Sequence, residues 1–249
     1  MEILLWKQSK GHDLIQGKIL MDREAFYFEF AEILNKFVFG EVYNHGKLTD
    51  KERILITLCA LTAGGIFKNF KRYIKAGLNT GLSPEDIKEA LYQCAPYTGF
   101  PKALKAIHKA DKVFRKAEIS LPVKSMKKTD ENNRFNEGLK VQETIFGERI
   151  RRMHENAPEN QKHIQNYLSA MCFGDFYTRD GLDIKMRELL TLCILSALGG
   201  CENQLRSHIE GNLSAGNDKD IMIEAVTQCM PYIGFPRTLN ALGCINETA

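Results

Sequence analysis

The chain has no run of about 18 apolar residues, the length a membrane-spanning helix needs, so no membrane segment is expected. Proline is scarce, 7 in 249 residues, which excludes a fibrous or disordered chain. A charge surplus is missing too. The 34 basic and 31 acidic residues leave a net +3, far from the one-sided charge of a dedicated nucleic-acid binder. Met1 to Lys7 is too short and too acidic for a secretory signal. With no export signal, the odd count of 7 cysteines reads as reduced thiols in a cytoplasmic protein. Strand-like alternation is absent apart from a weak candidate at Ile3–Leu5. What is present, 44% hydrophobic and 26% charged residues, is the balance of an ordinary globular protein.

The most informative feature is a repeat. Gln-Cys-Ala-Pro-Tyr-Thr-Gly-Phe-Pro at 93–101 returns as Gln-Cys-Met-Pro-Tyr-Ile-Gly-Phe-Pro at 228–236, an offset of 135. Upstream the offset is 134: Phe39 to Tyr43 faces Phe173 to Tyr177, and Thr57-Leu58-Cys59 faces Thr191-Leu192-Cys193. One extra residue therefore sits in the second copy between Cys193 and Gly199. Two copies at this spacing are a duplicated domain, about 1–118 and 133–249. Residues 119–132, with a proline, several charges and no periodicity, read as a linker.

Within each copy the apolar spacing is helical. From Leu182 to Leu198 apolar residues recur at three and four. Ser83-Pro84-Glu85-Asp86 is a helix start, and Gly81 and Gly216 end the helices before the next starts. The fold class is all-α, a tandem duplication with five or six helices per copy.

Differences between the copies point to the chemistry. Gly64-Gly65-Ile66 faces Gly199-Gly200-Cys201, and Tyr73 faces His208. A thiol and an imidazole thus occur together in the second copy only, at i and i+7, one helix face two turns apart. Cys201 follows Gly-Gly, so a helix N-terminus is expected to lower its pKa. A buried thiol and a hydrogen-bonded histidine are the alternative.

Here the sequence resembles the carboxymuconolactone decarboxylase family, with its alkylhydroperoxidase D-like relatives. Four pieces of the second copy carry the resemblance: Phe173 to Asp183, Arg187 to Leu192, Gln204 to His208, and Ala225 to Pro236. The first copy matches as scaffold. The resemblance implies an all-helical fold in trimers or higher homo-oligomers. It also implies one of two chemistries acting on a small molecule, without cofactor or metal. In peroxidase-type members the pattern is Cys-x-x-Cys-x-x-x-His with a glutamate on the preceding helix. Cys201 and His208 fit, Gln204 replaces the second cysteine, and Glu188 lies one residue from the glutamate's place. In decarboxylase-type members the pattern is Glu-Leu-Arg-x-His, and Gln204 replaces that glutamate.

Two enzymatic readings follow. A decarboxylase-like lyase would use His208 to move a proton and Arg179 to hold substrate carboxylates, beside Gln204 and a Tyr232 hydroxyl. A peroxiredoxin-type antioxidant oxidoreductase would use Cys201 as its thiolate. A non-catalytic binding or assembly protein is the third reading. The repeated cysteines Cys59/Cys193 and Cys94/Cys229 read as core, the lysines from Lys102 to Lys116 as a solvated helix face, and Arg149 to Arg152 as surface charges.

Overall fold

A computed structural model describes residues 28–249. Ile3–Leu5 lies outside the described residues, among which no strand occurs. The first copy contributes α1 (Phe28–Leu34), which runs into a π-helical segment (Asn35–Val42). It continues with α2 (Asp50–Ala63), α3 (Phe70–Asn79), α4 (Pro84–Gln93), α5 (Ala95–Thr98) and α6 (Phe100–Lys116). The second contributes α7 (Arg134–Phe146), α8 (Arg149–Glu155), and α9 (Lys162–Tyr167) with its π-helical continuation (Leu168–Tyr177). Next come α10 (Ile184–Leu198), α11 (Glu202–Ser214) and α12 (Lys219–Thr248), kinked at Gly234.

The helices begin where side chains can satisfy their unpaired amides. Thr49 with Glu52 and Ser83 with Asp86 form reciprocal caps, and Asp183 and Asp218 accept from Met186 N and Ile221 N. Helices α2 and α10 begin at equivalent residues. The extra residue of the second copy is one more residue at the end of α10.

Helices α2 and α10 are apolar on nearly every side, which suits a helix only at the centre of a structure. They pack on each other, and one apolar cluster runs through both copies. Polar side chains cross this seam in a repeated pattern. Arg53 Nη1 donates to Gln228 Oε1 and Arg187 Nη1 to Gln93 Oε1, both at 3.1 Å. Gln228 in turn donates to Thr57 Oγ1, and Gln93 to Thr191 Oγ1.

The segment 119–132 is not a free tether. Ile119, Leu121 and Val123 pack against the core, and the buried Thr129 hydroxyl donates to Gly174 O at 2.8 Å. A smaller cluster of Ile145, Cys172, Phe173 and Tyr177 lies beside the main core. There α7 and the π-helical segment touch through glycines: a Cβ on Gly138 would lie 2.0 Å from Ser169 O. That contact builds one wall of the site described next.

Candidate active site

His208 projects from the second turn of α11, and its Nδ1 lies 2.8 Å from Glu188 Oε2 on α10. Both side chains are buried, Glu188 completely. Gly211, three residues on, makes room: a Cβ there would stand 2.5 Å from Glu188 Oε2. The other carboxylate oxygen accepts from the Tyr177 hydroxyl at 2.7 Å. Tyr177 also meets Thr191 Oγ1 at 2.9 Å and the Tyr97 hydroxyl at 2.9 Å. Burial holds both tyrosines well above their usual pKa, so they stay hydroxyls at neutral pH. Burial likewise pushes the Cys172 thiol up to about 12, and Cys172 donates to Tyr97 Oη at 3.8 Å.

The histidine opens on a cavity of about 560 Å³. The Tyr97 and Phe146 rings meet its imidazole edge-on at 5.6 and 5.4 Å. Ile150, Met153, Leu168 and Met171 give apolar walls, while Asn203, Gln204 and Ser207 on α11 give polar ones. The cation of this cavity is Arg149, lying 5.2 Å over the Phe146 ring and paired with Glu210. Nδ1 is occupied by the carboxylate, so Nε2 is the nitrogen left for a molecule in the cavity. The site can therefore hold a small acid against a fixed imidazole.

The expected residues distribute unevenly. His208, Glu188 and Gln204 come together. Arg179 does not join them: its guanidinium makes a two-pronged pair with buried Glu89, at 2.8 and 3.0 Å, on a different cavity. Tyr232 is also elsewhere, its hydroxyl 3.0 Å from that of Tyr73. The copies exchange these tyrosines across the seam, so the Pro-Tyr motif of the first copy, through Tyr97, serves the second.

Cys201 does cap α11, but its backbone (φ −136°, ψ 41°) is not helical, so the i, i+7 geometry does not hold. Its thiol donates to Leu195 O at 3.4 Å and does not line the His208 cavity. Burial first, then Glu202 and Cys244, raises its pKa rather than lowering it. Among the described residues no three His, Cys, Asp or Glu side chains converge as a metal site requires. The repeated cysteines Cys59, Cys94, Cys193 and Cys229 are buried in the core.

Sequence reasoning missed Tyr97, Tyr177 and Arg149. For the carboxylate a signal existed: Glu188 stands where the first copy has Ile54, a copy difference like that of His208 against Tyr73.

A duplicated all-helical protein with a histidine–glutamate pair in one half is the class that fold and site define. Two segments, residues 29–112 and 162–247, match the carboxymuconolactone decarboxylase family model, and the chain belongs to that family. It is similar to 4-carboxymuconolactone decarboxylase of Acinetobacter baylyi, 31% identical over 119 residues, covering 47% of this chain and 88% of the relative. It is also similar to nitrosuccinic acid decarboxylase of Metarhizium robertsii, 30% identical over 115 residues, covering 46% and 80%.

Proposed function

We propose that the His208 cavity decarboxylates a small organic acid or lactone acid. The observation that carries this reading is the Glu188–His208 contact at 2.8 Å, opening on a cavity that also holds Arg149. Arg149 anchors a substrate carboxylate with its fork of donors. The bond to the departing carboxylate breaks, carbon dioxide leaves, and the electron pair passes into the conjugated system of the substrate. His208 Nε2–H then gives its proton to the carbon, and the imidazole regains one from water. Glu188 orients the ring and stabilises its charged form, as a carboxylate does behind a catalytic histidine. Tyr177 and Thr191 hold that carboxylate in place. The apolar walls lower the local dielectric, strengthening these charge interactions.

The test is carbon dioxide release from 4-carboxymuconolactone and from nitrosuccinic acid, compared between the wild-type chain and His208→Ala. Turnover of either acid that falls with the substitution supports the reading. No turnover of either, with no binding of either to the cavity, defeats it.

Association into a homo-oligomer belongs to the same reading. Phe100 and Leu104 on α6, and their counterparts Phe235 and Leu239 on α12, are all more than half exposed. Equivalent apolar positions bared in both copies suit contact with further copies of the chain. Light scattering should give a particle larger than the 28.3 kDa chain, and Leu104→Glu with Leu239→Glu should reduce it.

A further inference from the structure

A second cavity, about 540 Å³, lies between α4, α6 and the segment 121–125, and shares no lining residue with the His208 cavity. Its floor is apolar, from Leu91, Ile107 and Phe114, and Leu121 to Val123 form its cover. Three cations face it: Lys88, Arg115 and Arg179, against one lining acid, Asp111.

The charge balance behind this wall is uneven. Buried Glu89 receives Arg179 at 2.8 Å, Arg187 at 3.2 Å and Lys88 at 3.6 Å. Three cations on one carboxylate leave two positive charges without a counter-charge in that group. Arg187 is fully buried and further satisfied by Gln93 and the carbonyls of Arg179 and Asp180. Lys88, which also donates to Lys124 O, and Arg179 both reach the cavity, set against the Tyr92 ring at 5.9 and 5.0 Å. Low-dielectric walls focus the field of such an excess into the cavity. The second copy cannot repeat this, since Ile223 and Thr227 stand where Lys88 and Tyr92 are.

We propose that this cavity binds a small amphipathic organic anion. A carboxylate or sulfonate head lies on Lys88, Arg115 and Arg179, and the hydrocarbon body rests on Leu91, Ile107 and Phe114. The site is separate from the catalytic one and does not depend on the reaction proposed there.

The probe is 8-anilinonaphthalene-1-sulfonate, titrated by fluorescence into the whole chain, with neutral N-phenyl-1-naphthylamine in parallel. All titrations use the Arg149→Ala background, which removes the cation of the other cavity. Lys88→Ala and Arg115→Ala should each weaken the sulfonate about tenfold, as loss of a charge-assisted contact does. They should leave the neutral probe unchanged. Ala110→Trp, which fills the floor, should abolish binding of both at this site. Unchanged sulfonate affinity in the two charge variants, or equal losses for the neutral probe, would overturn the proposal. The charge variants decide the matter even if Ala110→Trp fails to fold.

Discussion

In the second copy a buried glutamate backs a histidine that faces a cavity; in the first, Ile54 and Tyr73 hold those two places. Around them the seam is nearly unchanged: arginine to glutamine, glutamine to threonine, in both directions and at matching distances. The first copy replaces the ionisable pair by Ile54 and Tyr73, and the Tyr73 hydroxyl meets that of Tyr232 at 3.0 Å. Duplication thus preserved the polar frame that aligns the copies and left acid–base equipment in one of them. The frame and the chemistry are separable, and substitutions can separate them further.

The largest effect should come from making the second site like the first. His208→Ala is expected to lower turnover by about 10²–10⁴-fold, the range for a lost general acid. The double variant Glu188→Ile with His208→Tyr should be equally inactive. It should nonetheless keep its melting temperature, because replacing a buried ionic pair by packed groups is often neutral. Carbon dioxide release and thermal unfolding measure the two halves of this expectation. A double variant that is inactive because it unfolds would show that pair and frame are not separable.

Next in size is the difference between two equivalent glutamates. Glu89 is buried among Arg179, Arg187 and Lys88, whereas Glu224 accepts from the amides of Lys47 and Leu48, at 2.6 and 3.1 Å. Glu89→Ala leaves buried cations unpaired and should cost about 3–5 kcal/mol in urea unfolding. Glu224→Ala should cost about 1–3 kcal/mol, for amides that lose their acceptor at a partly exposed place.

How much of this could be read beforehand depends on where the information lies along the chain. The duplication, the helix start at Ser83 and the apolar run of α10 are local patterns, so their periodicity and spacing reveal them. His208 is legible because the copies can be aligned there, and Gln204 because it interrupts the pattern of the family that the second copy resembles. Tyr97 is not, since alignment pairs it with Tyr232 and is silent about the exchange across the seam. Arg149 sits before the segment where the copies match well, in a run that looks like solvated charge. Arg179 has the donors to hold a carboxylate and does hold that of Glu89, but on a cavity away from His208.

A smaller contrast tests the exchanged tyrosines. Tyr97→Phe removes a hydroxyl that meets Tyr177, which itself holds Glu188. It should cost about 1 kcal/mol in stability, with a several-fold fall in turnover. Tyr232→Phe removes the equivalent bond to Tyr73 and should cost a similar stability with turnover unchanged. If both lowered turnover alike, the frame would transmit to the site as a whole, and the tyrosine beside His208 would have no special place.

The smallest effect is expected at Cys201, the other residue that distinguishes the copies. Its counterpart Ile66 also follows Gly-Gly, but the turns differ: Gly64 has φ −70° where Gly199 has φ 68°, and α3 starts only at Phe70. The thiol reaches Leu195 O, outside the His208 cavity, and burial raises its pKa. A helix N-terminus favours a thiolate only where the sulfur meets the free amides and an unscreened positive field. Here the sulfur turns back toward a carbonyl of the preceding helix, and Glu202 and Cys244 disfavour the charge further. Cys201→Ser should therefore leave carbon dioxide release within about twofold of wild type, and stability within about 0.5 kcal/mol, as for substitutions away from such features. Iodoacetamide at neutral pH should label Cys201 no faster than a free cysteine, and His208→Asn should not change that rate. Fast labelling that slows in His208→Asn would instead give this thiol a partner the geometry denies it, and the thiol-dependent chemistry would have to be taken up again.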